Sequence, residues 1–320
     1  MRPHVATIAA TVLLASSVAV CAQTYPTHPI RVLVGYAAGS GPDVLARTLA
    51  AQLGNDLGQQ FYVENRTGAN GIIATQQVVQ AEPDGYTLLY SSSSIAPTPF
   101  VYKHLNYDLL RDLAPVATIG IIDGFLMLVN PSSPVHTAAE FIDYAKKNRV
   151  LYGTPGVGNV LHLATELFRI KAEIPLEHIP YKGASEVATA LLGGSIQVMF
   201  VTPPSVLSLV KSGQLRAIAY TGSQRFPEFP DVPLLSDTLP GIVLPTSWGM
   251  FYAPARTPAA IVDKLNAAVR HALDEPAVMK VTRTSGYVPD NRDAAATSAF
   301  FREQVEASGL AVKAAGIQPN

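Results

Sequence analysis

Two glycine-rich turns carry the residue types and the spacing of an anion-binding site. The first, residues 35–43, follows a short apolar run and precedes apolar residues at helical spacing. A strand, turn and helix in this order leave free backbone N–H groups at the positive end of a helix dipole, which favours a bound anion. Ser40 and Asp43 form a capping-box pattern, and Pro42 is tolerated in the first helical turn. A tight turn that binds nothing is also common in α/β folds, so these residues alone leave both readings open.

The second turn, residues 153–159, shows the same order of strand, glycine turn and helix. It lies between a short strand at 150–152 and a predicted helix over 160–170. The two units suggest two similar lobes, although their sequences are too different to count as a repeat. Two helix N-termini that face one cleft would hold a dicarboxylate at both ends without a buried cation, each dipole contributing roughly 0.3–2 kcal/mol.

Recognisable catalytic motifs are missing from the sequence. It contains no Gly-x-Ser-x-Gly elbow, no His-Glu-x-x-His pair, no phosphate loop and no Gly-x-Gly-x-x-Gly turn. The histidines are scattered without metal-ligand spacing, so we predict no catalytic residue, no metal and no cofactor. His162, in the first turns of the second helix, is a candidate for ligand contact. An exported α/β hydrolase remains an alternative, with Ser92 or Ser93 as the nucleophile and His162 as its base.

The elements around the two turns indicate an α/β fold. Three strands alternate with helices between residues 30 and 90, which predicts a parallel, doubly wound sheet. The proline-rich segment 221–244 is typical of a surface connection with one short helix, on the way back to the first lobe. An amphipathic helix begins after Pro258, and a last long helix covers about 294–315.

The first 22 of the 320 residues have the pattern of a secretory signal peptide. Anchoring as a lipoprotein through Cys21 is the alternative, although Val20 is bulky for that processing. Cleavage after Ala22 would remove the only cysteine, so no disulfide forms, which suits a bacterial periplasm. The remaining chain has a net charge near −2 and no basic run, so we expect no nucleic-acid partner.

Several motifs, in order along the chain, resemble the Bug/TctC periplasmic solute-binding proteins. They include Val63-Glu64-Asn65-Arg66-Thr67-Gly68-Ala69-Asn70-Gly71, Pro83-Asp84-Gly85-Tyr86-Thr87, Pro180-Tyr181-Lys182-Gly183 and Thr246-Ser247-Trp248. The resemblance implies a two-lobed, type II-like Venus-flytrap fold with two chain crossovers. It implies lobe 1 from residues 23–124 and 222–320, and lobe 2 from residues 125–221.

The resemblance also implies a function and a site. A small carboxylate would bind between the lobes of a monomer and pass to the membrane subunits of a tripartite tricarboxylate transporter. A ligand-binding co-receptor for a sensory system stays open as the alternative. Carried over to this sequence, the ligand-binding residues are Tyr36, Ala37, Ala38, Gly39, Ser40, Asp43, Ser92, Ser93, Thr154, Pro155, Gly156, Val157, Asn159, His162, Val201 and Thr202.

The chain departs from the usual family pattern at three places. Ser40 adds a hydroxyl between Gly39 and Gly41, and Pro155 and Val201 make the second-lobe wall more apolar. An amino-acid ligand, whose ammonium needs a carboxylate partner, therefore fits less well. We expect a mono- or dicarboxylate, aromatic acids included.

Overall fold

A computed structural model describes residues 25–319 of the chain. The predicted signal peptide, residues 1–22 with Cys21, lies outside the described residues. Within residues 25–319, no helix combines the length and the apolar character that crossing a membrane requires.

The first lobe begins with alternating strands and helices, as the sequence predicts. Its elements up to the first crossover are β1 (Ile30–Val34), α1 (Gly41–Leu57), β2 (Phe61–Asn65), α2 (Ile72–Val79), β3 (Thr87–Ser92), α3 (Thr98–Val101), α4 (Leu109–Asp112) and β4 (Leu113–Ile122).

The second lobe follows without interruption. Its elements are β5 (Leu126–Val129), α5 (Ala138–Ala145), β6 (Val150–Thr154), α6 (Val160–Lys171), β7 (Leu176–Pro180), α7 (Ala184–Leu192), β8 (Met199–Val201), α8 (Leu207–Lys211), β9 (Arg216–Tyr220) and α9 (Leu235–Thr238). The chain then returns to the first lobe through β10 (Ser247–Pro254), α10 (Ala259–Asp274), α11 (Pro276–Thr284), β11 (Val288–Pro289) and α12 (Ala294–Ala314).

The first-lobe sheet has six strands in the order β11-β4-β10-β3-β1-β2. Strands β1, β2 and β3 are parallel, as predicted, but β10 runs antiparallel to both β3 and β4. The parallel arrangement predicted from residues 30–90 thus holds for β1–β3, and the complete sheet is mixed. The reason is that β10 enters from the other lobe, so no local β-α-β crossover fixes its direction.

The second-lobe sheet is also mixed. Strands β6 and β7 are parallel, whereas β8 and β9 flank β5 in antiparallel pairs. A parallel bridge between Tyr152 and Val198 joins the two parts. Helices α5 and α6 cover one face through an apolar cluster that includes Phe141 and Phe168.

Two adjacent crossovers connect the lobes, between β4 and β5 and between β9 and β10. Gly124 lies in the first connection, and Gly222 lies at the start of the second. Their backbones are so close that a Cβ atom at Gly124 would clash with Gly222. Asp123 Oδ2 accepts hydrogen bonds from Ser223 N and Oγ at 2.7 and 2.9 Å. The mixed α/β architecture and the two-lobed fold predicted from the sequence are therefore confirmed.

The connection after β9 packs on the second lobe before it crosses. Phe226, Phe229 and Val232 lie against one second-lobe cluster, and Ile242 and Leu244 lie against another. The predicted lobe boundary at 221/222 remains a prediction, and these contacts lead us to propose that lobe 2 extends to about residue 244.

Candidate functional site

The first loop, residues 35–40 between β1 and α1, is held by the carboxylate of Asp43. This carboxylate accepts hydrogen bonds from Gly39 N at 2.8 Å, Arg47 Nε at 3.0 Å and Asn65 Nδ2 at 2.7 Å. Asn65 also donates to the carbonyl oxygen of Tyr36 at 3.0 Å. Asp43 thus connects the end of the first loop to α1, and Asn65 connects the beginning of the loop to β2.

The predicted capping box at Ser40 does not form. Ser40 is the N-cap of α1, but its hydroxyl accepts no hydrogen bond from the first turn, and Oγ is buried without a partner. Asp43 reaches back one residue further, to Gly39, because Gly39 has a φ of +77° that turns its N–H toward the helix.

The electrostatics of Asp43 favour its charged form. Burial alone would raise the pKa of this carboxyl, but the hydrogen bonds from Arg47, Gly39 and Asn65 outweigh burial, and the pKa lies below its ordinary value. Since all three donors already occupy the carboxylate, Asp43 acts on the loop rather than as a free group in the cleft.

Serine hydroxyls lie beside the first loop at the carboxyl end of β3. Tyr36 Oη lies 2.6 Å from Ser92 Oγ and accepts a hydrogen bond from Ser92 N at 3.2 Å. Ser92 Oγ in turn accepts from Ser94 N at 3.3 Å, and Ser93 Oγ donates to Ser247 Oγ at 3.4 Å. The end of β3 therefore carries a hydrogen-bonded group around Ser92 and a separate pair formed by Ser93 and Ser247.

The second loop, residues 155–159, connects β6 to α6 and ends in a side-chain cap. Asn159 is the N-cap of α6, and its Oδ1 accepts from Leu161 N at 2.9 Å. Gly156 and Gly158 have φ values of +127° and +74°, which β-branched residues rarely adopt. These glycines turn the chain from strand to helix within five residues.

Two stacked imidazole rings lie under the second loop. His162 Nδ1 accepts a hydrogen bond from Gly158 N at 3.0 Å, and His178 Nε2 lies 2.6 Å from Thr154 Oγ1. The ring centroids of His162 and His178 are 4.0 Å apart. Burial lowers the pKa of His162 to about 4, and burial together with the neighbouring His162 lowers that of His178 to about 4. Both rings are therefore neutral at pH 7.

The second loop contacts the first lobe through asparagine side chains. Asn159 Nδ2 donates to Ser94 Oγ at 3.0 Å, and Asn70 Nδ2 donates to the carbonyl oxygen of Val157 at 2.8 Å. Asn70 lies beside the first loop because Gly71 contacts Gly35 so closely that a Cβ at Gly35 would lie 2.5 Å from Gly71 Cα. In this structure the lobes are in contact, and the second loop lies against Asn70, which neighbours the first loop.

A further contact between the lobes lies outside these loops. Val101 and Val312 of the first lobe pack against Leu163 of α6 in a small buried cluster. Gly158 packs against Val101, since a Cβ at Gly158 would lie 2.5 Å from Val101 Cγ2.

Both loops present backbone donors without protein partners. Within residues 25–319, the N–H groups of Ala37 and Ala38 in the first loop, and of Gly156 and Val157 in the second, make no hydrogen bond to the protein. Ala37 and Ala38 are exposed, and Gly156 and Val157 are half-buried. Such donors at the starts of α1 and α6 can bind carboxylate oxygens.

The remaining predicted site residues lie in different surroundings. Pro155 is half-buried in the second loop, next to the buried Thr154. Thr202 Oγ1 lies 2.9 Å from Ser205 Oγ, and Val201 is 1% exposed inside a core cluster of the second lobe. Ligand contact by these residues stays a prediction.

The residues of the alternative hydrolase have other partners. Ser92 is engaged by Tyr36, Ser93 by Ser247, and His162 by Gly158 and His178. No serine–histidine hydrogen bond joins Ser92 or Ser93 to His162 in residues 25–319, so the arrangement lacks an activated nucleophile there. Over the same residues, no group of three or more His, Cys, Asp or Glu side chains could hold a metal ion.

Sequence reasoning missed four side chains that position the loops. They are Asn65, Asn70, Ser94 and His178. Asn70 stands between Gly68 and Gly71 in a run of positive φ values, and Ser94 ends a run of four serines, so both had a weak signal. No signal in the sequence indicated His178, because its partner His162 is 16 residues away on another element.

The comparisons with known proteins agree with this geometry. The family model of the tripartite tricarboxylate transporter family receptor matches residues 45–317. A UPF0065 protein of Bordetella bronchiseptica is 36% identical over 97% of this chain and 92% of its own length.

Two solved structures contain a carboxylate. The structure of R. palustris Rpa4515 with adipate has a TM-score of 0.85 and 30% identity, over 92% of this chain and 100% of that one. The structure of MatC from Rhodopseudomonas palustris with bound malate has a TM-score of 0.80 and 27% identity, over 90% of this chain and 100% of that one.

Proposed function

This chain belongs to the family of tripartite tricarboxylate transporter receptors, and from that premise we propose that it binds a small dicarboxylate between its lobes. The family consists of periplasmic solute-binding proteins, not enzymes. One carboxylate would accept hydrogen bonds from the first loop, and the other from the second. The single observation that carries this proposal is the pair of loops with free N–H groups, which precede two helices near the contact between the lobes.

Adipate and malate, found in two related structures, support the dicarboxylate class. Backbone donors recognise the carboxylate group itself, so the distance between the two loops would select ligand length. Pro155 and Val157 add apolar surface beside the second set of donors, which favours an unbranched carbon chain over an amino acid.

We further propose that the protein works in the periplasm and passes its ligand to the membrane subunits of a tripartite tricarboxylate transporter. The family match supports the transporter partner. Recognition would depend on the closed arrangement of the lobes, since closure brings Asn159 to Ser94 and Asn70 to Val157.

A thermal-shift panel tests the ligand class. We expect a clear rise in melting temperature with adipate or malate and a smaller one or none with benzoate and citrate. A ligand at 100 times its Kd adds about 2.7 kcal/mol to the free energy of unfolding, which raises the melting temperature by several degrees. Well-folded protein that responds to none of these acids would contradict the proposal.

A matched pair of glycine variants then tests the site. Gly39 and Gly58 flank opposite ends of α1, have φ values of +77° and +70°, and leave open space around a Cβ. Leucine at either position costs similar backbone strain, but only Gly39→Leu fills the cleft beside Ala38. We expect Gly39→Leu to weaken binding at least 100-fold while Gly58→Leu binds like the wild type. Equal affinities would exclude the first loop from the site.

A further inference from the structure

The stacked pair of His162 and His178, which we call the imidazole pair, is a buried titratable cluster that the dicarboxylate proposal does not use. The two rings come from α6 and β7, and their centroids lie 4.0 Å apart with planes 18° from parallel. Tyr152 on β6 stacks on His178 at 4.9 Å. Three elements of the second lobe therefore converge on this point, directly beneath the second loop.

Each ring contacts one end of the second loop. Gly158 N–H, at the end of the loop, donates to His162 Nδ1 at 3.0 Å. At its beginning, Thr154 Oγ1 lies 2.6 Å from His178 Nε2 and donates to the carbonyl oxygen of Gly156 at 3.1 Å. Between these two attachments lie the free N–H groups of Gly156 and Val157.

The contact at Gly158 demands an unprotonated nitrogen. An N–H donor needs a lone pair on its partner, so His162 Nδ1 cannot carry a proton while this hydrogen bond exists. A proton on Nδ1 would face the Gly158 N–H directly. Two imidazolium cations at a 4.0 Å ring separation would also repel each other.

Three charged or titratable side chains lie around the imidazole pair: Tyr152, Glu166 and Arg169. From β6, Tyr152 Oη donates to Glu166 Oε1 at 2.5 Å. From α6, Glu166 Oε2 accepts from Arg169 Nε at 2.9 Å. Burial and the neighbouring His162 lower the pKa of His178 more than the negative charge of Glu166 raises it, and the pKa of both imidazoles lies below its ordinary value.

We propose that the neutral imidazole pair holds the second loop in its binding conformation, so that His162 and His178 are positioning residues and protonation of His162 would release the loop. The imidazole pair contacts Thr154 and Gly158 and makes no hydrogen bond to the free N–H groups of Gly156 and Val157. This inference rests on the proposed function for its effect on ligand binding, but its effect on the loop can be measured without a ligand.

The first experiment compares two substitutions at His162. In His162→Asn, Oδ1 keeps an acceptor near the position of Nδ1 and cannot be protonated. In His162→Phe, the ring and its stacking remain, but the acceptor is lost. We expect hydrogen exchange of the Gly158 amide to be at least 10-fold faster in His162→Phe at pH 7, and within 3-fold of the wild type in His162→Asn.

Affinity for adipate, with malate in parallel, should follow the same order. We expect a loss of at least 10-fold for His162→Phe and less than 3-fold for His162→Asn. If His162→Phe fails to fold, Thr154→Val replaces it, because valine has the shape of threonine without the hydroxyl that His178 contacts. Thr154→Val is then expected to weaken binding and to expose the amides of residues 156–158 to exchange.

The second experiment isolates the titration of the pair. The double variant His162→Asn, His178→Gln keeps polar atoms near Nδ1 and Nε2 but has no imidazole. Between pH 7 and pH 4, where about half of a group with a pKa of about 4 is protonated, we expect the wild type to lose about 2-fold more affinity for adipate than this variant. Protonation of adipate itself affects both proteins equally, so it cancels in the comparison.

The outcomes separate the two proposals. A wild type that binds neither adipate nor malate contradicts the proposed function for these probes, while the exchange rate of Gly158 still decides the inference. A wild type that binds, with Gly158 equally protected in His162→Phe and parallel pH profiles, overturns the inference and leaves the proposed function standing.

Discussion

The two loops that precede α1 and α6 are held by different chemistry. A buried carboxylate fixes the first loop, because Asp43 accepts hydrogen bonds from Gly39, Arg47 and Asn65. Uncharged aromatic rings fix the second loop, because His162 and His178 contact Gly158 and Thr154. Both loops connect a strand to a helix through a glycine turn. Different side chains nevertheless hold the loop backbone, and with it the free N–H groups, in place.

The difference predicts that the loops respond differently to mutation and to pH. Hydrogen bonds to a charged acceptor contribute more to stability than neutral ones, so the first loop should be the more rigid. The second loop depends on groups whose ordinary pKa lies near 6.5, so it should be the more responsive to acid.

Removal of the Asp43 carboxylate should have the largest effect. We expect Asp43→Ala to lower the free energy of unfolding by about 2–3 kcal/mol, because it leaves the Gly39 and Asn65 donors without a partner. The contribution of Arg47 is smaller, since its side chain is 48% exposed. Chemical denaturation measures the loss, and binding of adipate should weaken at the same time.

Asp108→Ala is the control in the same lobe. Asp108 is exposed and caps the short helix α4 by accepting from Leu110 N and Arg111 N. Its loss should cost about 1 kcal/mol without a change in ligand affinity. Equal loss of binding in both variants would show that Asp43 does not act through the first loop.

The pH dependence of the free energy of unfolding should distinguish the two loops. We expect this effect to be smaller than that of Asp43→Ala at each pH unit. The folded pKa values of His162 and His178, about 4, lie below the ordinary 6.5. Between these values the unfolded chain binds more protons than the folded one. The free energy of unfolding should therefore fall as pH decreases from about 6.5 to 4, by at most about 1.4 kcal/mol per pH unit for each histidine.

The Asp43 contribution falls in a lower window. Its folded pKa lies below the ordinary 3.8, so its stabilisation is present above that value and is lost as pH falls through the folded pKa. Denaturation of the wild type and of His162→Asn, His178→Gln at pH 7, 6, 5 and 4 measures the difference. Parallel curves over this range would contradict the assignment of the upper window to the imidazoles.

The helix caps give the smallest predicted effects. Asn159→Ala should cost about 1 kcal/mol, because Asn159 accepts from Leu161 N and donates to Ser94. Ser40→Ala should change the free energy of unfolding by less than about 0.5 kcal/mol, since the Ser40 hydroxyl caps nothing and has no partner. A cost for Ser40→Ala equal to that of Asn159→Ala would restore the capping box predicted from the sequence.

Much of the fold could be predicted from the sequence because its signals are local. Helix α12, predicted over about 294–315, spans Ala294–Ala314, and α6, predicted over 160–170, spans Val160–Lys171. The direction of β10 could not be predicted, because it depends on a chain that leaves the first lobe and returns more than 100 residues later.

For the candidate site, the sequence indicated where the loops lie but not what supports them. Asp43 was predicted as a ligand contact and lies under the first loop, fully engaged by three donors. His162 was predicted in the same way and accepts from Gly158. Their ligand contacts remain predictions, since the structure shows their partners within the protein only.

Glycine spacing and apolar periodicity determined, by sequence alone, that this chain forms two glycine turns ahead of helices in an α/β fold. These features act within about ten residues, where the backbone conformation depends on the side chains next to it. Only the tertiary structure decided that Asn70 meets Val157, that Asn159 meets Ser94 and that His178 stacks on His162. Each of these contacts joins residues on separate elements, and the packing of the whole lobes sets their distance.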